Sequence, residues 1–297
     1  MAAALAVAGT LPSSAAQSHG PRDAVCKGME RLVRDDKFPA ALAATVDRDG
    51  HTRDCATGVA DLKTKAKVPV DGQIRVGSNT KTFTATVVLQ LVGEGKAGLD
   101  APIEKYLPGL VRGEGIDGHN ITVRQLLQHT SGLPDYTGLM GEEALFGKGR
   151  HTYYQPRTLL DLTLAHKAEF APGTSWAYSN TNYLLAGLLI EKVTGRPVAE
   201  QITKRVIDRI GLRTTVKVPD AFDSGSGIRF GLGLTSTPLS CGGLMWGHRG
   251  DIPGYHTRTG ATDDGRAVTI ATTAGPAPTS KGLDNADALL STALCGM

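Results

Sequence analysis

Between Ala24 and Asp36 the apolar residues Val25, Met29, Leu32 and Val33 recur at helical spacing, which predicts a first helix with one buried face. Ala40–Val46 and His51–Ala60 then flank Asp47-Arg48-Asp49-Gly50, and the Asp-Gly pair favours the tight turn of an antiparallel hairpin. From about 78 to 212 the pattern turns helical. Phe83, Val87, Val88 and Leu91 form a stripe that ends near Gly93 and Gly95. Thr122-Val123-Arg124-Gln125 is a capping box opening a short helix through His129. Tyr183–Val193 closes at Gly195-Arg196-Pro197, and Val198–Ile210 closes at Gly211. Strand patterns return in Arg229–Leu234, Leu244–His248, Tyr255–Ala261 and Ala267–Thr272, and Leu283–Leu294 reads as a final helix.

Strands from both chain ends, with helices at both ends, predict an α/β (α+β) architecture built on one antiparallel sheet. A helical subdomain over about 78–220 is inserted between sheet halves 24–77 and 226–297, with a ligand cleft where the two parts meet. Asp223-Ser224-Gly225-Ser226-Gly227 reads as a flexible joint.

Composition narrows the function classes. Hydrophobic residues make up 40% of the 297 and charged residues 21%, and no uncharged apolar run is long enough for a membrane span. The net charge of +3 has no basic run behind it, so the footprint of a nucleic-acid partner is missing. Residues 1–16, MAAALAVAGTLPSSAA, read as a secretory signal with cleavage after Ser14-Ala15-Ala16, although no Lys or Arg precedes Arg22. A secreted, extracellular protein follows as the expectation. Cys26, Cys55, Cys241 and Cys295 lack zinc-site spacing and read as disulfides, with three pairings open.

Ser78-Asn79-Thr80-Lys81 opens the helix whose stripe is Phe83, Val87 and Leu91. At i and i+3 the Ser hydroxyl and the Lys amine share a side, and the helix N-terminus favours a developing oxyanion. A desolvated Lys81 can serve as base toward Ser78. Tyr178-Ser179-Asn180 supplies a phenol that can be held partly as phenolate and pass a proton, and an amide that can hold a substrate carbonyl. His248-Arg249-Gly250 supplies a cation at a strand edge, with a glycine that lets substrate backbone approach. His119, His129, His151, His166 and His256 have no ligand spacing, and no Gly-x-Ser-x-Gly elbow is present.

Val76-Gly77-Ser78-Asn79-Thr80-Lys81, Leu127-Gln128-His129-Thr130-Ser131-Gly132-Leu133, Tyr178-Ser179-Asn180-Thr181-Asn182-Tyr183 and Gly247-His248-Arg249-Gly250 resemble, in order, the motifs of class C β-lactamase-like proteins in the penicillin-recognising superfamily. The wording is most similar to that of the secreted Streptomyces-type D-alanyl-D-alanine carboxypeptidases, over residues from about 24 to the end. The resemblance implies Ser78 as acylated nucleophile, Lys81 as proton acceptor and Tyr178 as relay to the leaving amine. It implies Asn180 on the acyl carbonyl side, His248 where other members have Lys, and an oxyanion hole from the backbone N–H groups of Ser78 and Asp251. It implies no metal or organic cofactor, a monomer, and peptidoglycan stem peptides or β-lactams as substrates. It also suggests Cys241–Cys295, tying the terminal helix to the strand leading toward His248. Cys26–Cys55 would join the first helix to the second strand.

Two departures shape the expectations. Tyr178 and His248 are only 70 positions apart, so part of the helical wall between Ile210 and Ile228 is expected to be shortened. The places that grip a terminal carboxylate in the resembling carboxypeptidases hold Thr235, Arg249 and Asp251. Arg249 could bind such a carboxylate, Asp251 would repel it, or the two could pair with each other. Three functions stay open on this reading: a D-Ala-D-Ala carboxypeptidase, a β-lactamase or small-ester hydrolase, and an inactive relative that only binds muropeptides or β-lactams.

Overall fold

The computed structural model describes residues 21–70, 72–209, 222–223, 228–275 and 277–297. The leader 1–16, most of the Ser-Gly joint and the segment expected to be shortened therefore lie outside the described residues. The N-terminal part runs α1 (Pro21–Arg34), β1 (Ala40–Val46) and β2 (Thr52–Gly58). The middle holds α2 (Thr80–Gly93), β3 (Arg112–Gly113), β4 (Ile116–Asp117), α3 (Val123–Gln128), α4 (Tyr136–Met140), α5 (Glu142–Leu145), α6 (Pro156–Leu164), α7 (Asn180–Thr194) and α8 (Val198–Arg205). The C-terminal part runs β5 (Phe222–Asp223), β6 (Arg229–Phe230), β7 (Thr235–Pro238), β8 (Leu244–Gly247), β9 (Arg249–Ile252), β10 (Tyr255–Thr262), β11 (Ala267–Thr273) and α9 (Ser280–Gly296).

One antiparallel sheet carries the order β2-β1-β11-β10-β8-β7-β6-β5, and β9 also pairs with β10. Ala40 faces Thr273 across the β1–β11 seam, so strands from the two chain ends lie side by side, as the sequence pattern implies. Short side chains in β1 (Ala41, Ala43) let α1 and α9 pack closely on the sheet through Met29, Leu32, Leu289, Leu290 and Leu294. A second core lies in the helical part, where Val87, Val88 and Leu91 of α2 meet Leu185, Leu189 and Ile190 of α7. These helices are apolar on more than one face because they sit inside the layer. The Thr122–Gln125 capping box forms as expected, and no described helix is long and apolar enough to cross a membrane.

Several boundaries differ from the sequence expectation, and α7 and α9 each start three residues earlier than expected. The strand read from Arg229 stops at Phe230, because Gly231 and Gly233 turn the chain back over α2, where Thr82 donates to the Gly233 carbonyl. The helix read as Val198–Ile210 ends at Arg205 and tightens into a 3-10 turn over Ile207–Arg209. Residues 249–252 form a strand although Arg-Gly-Asp-Ile carries no strand pattern.

Cys26 bonds Cys55 and Cys241 bonds Cys295. The second closes 54 residues across the C-terminal strands and α9. Replacing both of its cysteines with serine is expected to cost about 2–4 kcal/mol of stability, read as a lower urea midpoint with a somewhat steeper slope, because the unlinked unfolded chain exposes more surface.

Candidate active site

Gly77–Asn79 form a 3-10 turn leading into α2, so Ser78 stands just before the helix rather than within its first α-helical turn. Two features anchor this turn. Gly77 has a left-handed φ of +55°, and a Cβ there would lie 3.2 Å from Gly250 of β9. Asn79 is buried and reaches β10, its Nδ2 donating to Thr257 Oγ1 at 2.6 Å and its Oδ1 accepting from Thr259 Oγ1 at 2.8 Å. Sequence reading passed over Asn79, whose signal as the residue after the nucleophile is only its position.

Lys81 is buried, and its Nζ lies 3.1 Å from Ser78 Oγ and donates to Asn180 Oδ1 at 2.6 Å. Burial disfavours the ammonium and pushes its pKa down to about 8, against the opposing pull of Asp135. Lys81 Nζ also lies 5.0 Å from the centre of the Tyr178 ring. Burial pushes the phenol up to about 12, more than the nearby Ser78 hydroxyl lowers it. Tyr178 is thus a neutral phenol at pH 7, not the partial phenolate expected from a lysine neighbour, because desolvation is the largest influence on it.

His248 falls at a break between β8 and β9, where the Thr259 hydroxyl accepts from its backbone N–H at 3.2 Å. Such a break re-aims a side chain. Here the ring comes to 6.4 Å from that of Tyr178, centre to centre. Burial lowers the His248 pKa to about 4, so it is a neutral imidazole rather than the expected cation. Nδ1 faces the Arg249 carbonyl and so carries the ring proton, leaving Nε2 as an acceptor.

Asn180 opens α7, and its two polar ends are already used. Oδ1 accepts from Lys81, while Nδ2 donates to Asp135 at 2.9 Å and to Thr137 Oγ1 at 3.3 Å. In this arrangement its amide orients Lys81 instead of offering a donor to a substrate carbonyl. Asp135 is the functional residue that sequence reading missed. It caps α4 by accepting from Thr137 N–H and also accepts from the Asn180 backbone N–H at 3.2 Å. His129 supports the same corner: buried and left-handed at φ +62°, it accepts from Ser179 N–H at Nδ1 and stacks on Tyr178 at 4.4 Å between ring centres.

Asp135→Asn is expected to do two things. Without the carboxylate the Asn180 amide can turn over, and misplacing the lysine could cost up to about 10²-fold in kcat. Loss of the negative charge also lowers the Lys81 pKa further, so the acid limb of the kcat/KM profile should move to lower pH. A profile superimposable on the wild type would contradict this.

The structure does not pair Arg249 with Asp251. Arg249 lies 3.3 Å from Asp287 of α9, and Asp251 binds Arg258 Nη1 at 2.9 Å and His256 Nδ1 at 2.7 Å. Both side chains thus turn to the α9 side of the sheet. Gly250 faces the opposite way, and a Cβ there would lie 2.1 Å from the Val76 carbonyl oxygen, so the residue has no room for a side chain. The Thr235 hydroxyl donates to the Gly247 carbonyl at 2.9 Å.

A family model described as Beta-lactamase matches residues 23–224, a span that includes Ser78, Lys81, Tyr178 and Asn180. The chain belongs to the β-lactamase family. This β-lactamase-family chain falls within the β-lactamase and penicillin-binding superfamily. It is similar to the D-stereospecific amidohydrolase of a Streptomyces species, with 32% identity, a TM-score of 0.76, and coverage of 89% of this chain and 97% of that one. It shares its fold with the D-amino acid amidase of Ochrobactrum anthropi SV3, solved with L-phenylalanine, at 20% identity and a TM-score of 0.76 over 92% and 98% of the two chains. Penicillin-binding protein 4 of Amycolatopsis lactamdurans is 31% identical over 182 residues, 61% of this chain and 45% of that protein. Protein flp of Staphylococcus aureus strain MW2 is 31% identical over 158 residues, 53% of this chain and 30% of that protein. The matches span less than half the length of these two curated relatives.

Proposed function

We propose that this chain hydrolyses amide and ester bonds on the carboxyl side of D-amino acid residues through an acyl-enzyme on Ser78, with D-aminoacyl amides and short D-peptides as substrates. The observation that carries the reading is the cluster of Ser78 Oγ with Lys81 Nζ at 3.1 Å and the Tyr178 ring centre 5.0 Å from the same amine. Neutral Lys81 takes the Ser78 proton as the oxygen attacks the carbonyl. The Ser78 and Asp251 backbone N–H groups receive the oxyanion, and Tyr178 protonates the departing nitrogen. Water then releases the acyl group by the reverse route.

Similarity to the D-stereospecific amidohydrolase over 89% of the chain supports a D-configured acyl residue. The engagement of Arg249 and Asp251 with Asp287, Arg258 and His256 supports a site with little grip on a terminal carboxylate. The D-Ala-D-Ala carboxypeptidase of the class C-like, Streptomyces type is the second reading, favoured by the similarity to Penicillin-binding protein 4. On either reading the protein works outside the cell, with residues 1–16 as its export signal.

Two measurements test this. A labelled penicillin should leave a covalent adduct on the wild type, seen by intact-protein mass spectrometry, and none on Ser78→Ala. D-alanine p-nitroanilide should be cleaved with higher kcat/KM than its L enantiomer, and an acyl-D-Ala-D-Ala peptide no faster than its C-terminal amide. An adduct that persists in Ser78→Ala sinks the nucleophile assignment. Strong preference for the free acid establishes the carboxypeptidase instead.

A further inference from the structure

Behind β9, on the side away from Ser78, lies a chain of charges that the proposed reaction does not use. The Arg258 side chain is only 4% exposed. Its Nη1 donates to Asp251 Oδ1 and to the Thr257 carbonyl, at 2.9 and 3.0 Å, and its Nε lies 2.9 Å from Asp287 Oδ1 on α9. Arg249 adds an outer contact to the same Asp287 oxygen, and His256 adds Nδ1 on the same Asp251 oxygen. Arg258 stands directly across from Arg249 in the β9–β10 pairing, and His256 across from Asp251. A guanidinium removed from water must be matched by carboxylates, and losing one partner leaves a buried charge uncompensated. The arrangement therefore resists any slide of β9 along β10 or away from α9.

On its other side the same strand is pressed against the nucleophile turn. Gly250 meets the Val76 carbonyl with no room for a Cβ, and a Cβ on Gly77 would lie 3.3 Å from the Asp251 nitrogen. Thr257 Oγ1 donates to the Val76 carbonyl at 3.0 Å, completing the contact between β10 and the turn. The separation between the two backbone N–H groups of the oxyanion pair, on Ser78 and on Asp251, is set by how β9 is held from both faces. Contact with the turn fixes one face, and the charges fix the other.

We propose that Arg258, gripped between Asp251 and Asp287, is a positioning residue that holds the β9 edge at the spacing an oxyanion needs. This rests on the acyl-serine reading above, and it goes beyond it by assigning the Asp251 side chain to the strand's position instead of to a substrate carboxylate. Its influence is strongest in the tetrahedral state, because a substrate held by the rest of the cleft feels a displaced donor only when negative charge develops on the carbonyl oxygen.

The test uses the full chain carrying Asp287→Asn, Arg258→Met and the conservative Asp287→Glu. With D-alanine p-nitroanilide, Asp287→Asn should lower kcat about tenfold, a part of the 10²–10³ lost when an oxyanion donor is removed outright. KM should stay within about threefold. The inhibition constant of phenylboronic acid, which forms a tetrahedral adduct on the serine, should rise by the same factor as kcat falls. Asp287→Glu, which restores the charge, should recover part of both. If kcat and boronate affinity hold at wild-type values while only the melting temperature drops, the network serves stability alone and the proposal is overturned. A change confined to KM overturns it equally. Should Arg258→Met fail to fold, the nearly isosteric Asp287→Asn carries the comparison. A wild type that forms no Ser78 adduct would refute the underlying reading instead, and that outcome is separate from all of these.

Discussion

Lys81→Ala is expected to slow acylation of Ser78 by about 10²–10⁴-fold, the range lost when a general base is removed. Among the described residues Lys81 is the base in hydrogen-bond contact with the Ser78 hydroxyl, whereas Tyr178 keeps its proton near pH 7 and His248 faces Tyr178 at 6.4 Å between ring centres. The sign of the pH dependence follows from which form of Lys81 acts. Burial brings its pKa down to about 8, so about a tenth of the molecules hold the neutral amine at pH 7. In the wild type, kcat/KM should rise with pH through about 8 and level off above it. Stopped-flow acylation by a chromogenic β-lactam reads both effects. A variant acylated at the wild-type rate, or a wild-type profile flat from about pH 6 to 9, would remove Lys81 from the role of base.

Tyr178→Phe should be the second large loss, about 10²-fold or more in kcat for an amide, and it should depend on the leaving group. An amine cannot depart from the tetrahedral adduct without a proton, and the phenol, with its pKa near 12, carries one throughout the working range. A nitrophenolate leaves without help. The loss should therefore be much smaller for a D-alanine p-nitrophenyl ester than for D-alanine amide, in parallel steady-state assays. Equal losses on both would mean that Tyr178 acts on the attack of Ser78 and not on departure.

The frame of the molecule was legible because its signals are local. β1 follows the expected residues, the capping box at Thr122 closes, and the Phe83 to Leu91 stripe marks α2. The nucleophile pair was legible too, since Ser78 and Lys81 lie on one turn and need only i and i+3 geometry to meet. What the chain concealed depends on distant partners. Asp135 follows Leu133-Pro134 and reads as a turn residue. It acquires its role only because the start of α4 is brought against the start of α7, 45 positions later. β9 lacks alternation because Gly250 lies against the nucleophile turn and the charged residues on either side meet β10 and α9. The neutral states of Tyr178 and His248 were misjudged for a related reason. Neighbouring charges can be read from motifs, but the amount of water excluded from a ring cannot.

The seam between β1 and β11 sets an order of events in time. Ala40 finds its partner at Thr273, so a chain growing from its N-terminus holds β1 and β2 as a lone hairpin until almost everything else has been made. An isolated hairpin is marginal in water at best. Contacts this distant in sequence form slowly, because the intervening chain must lose its freedom before the pairing repays it. The helical core can assemble earlier around α2 and α7, but Ser78 would then stand beside a sheet not yet built. Hydrolytic competence should consequently appear late in refolding, in step with burial of the α9 side chains and well after helical content has returned.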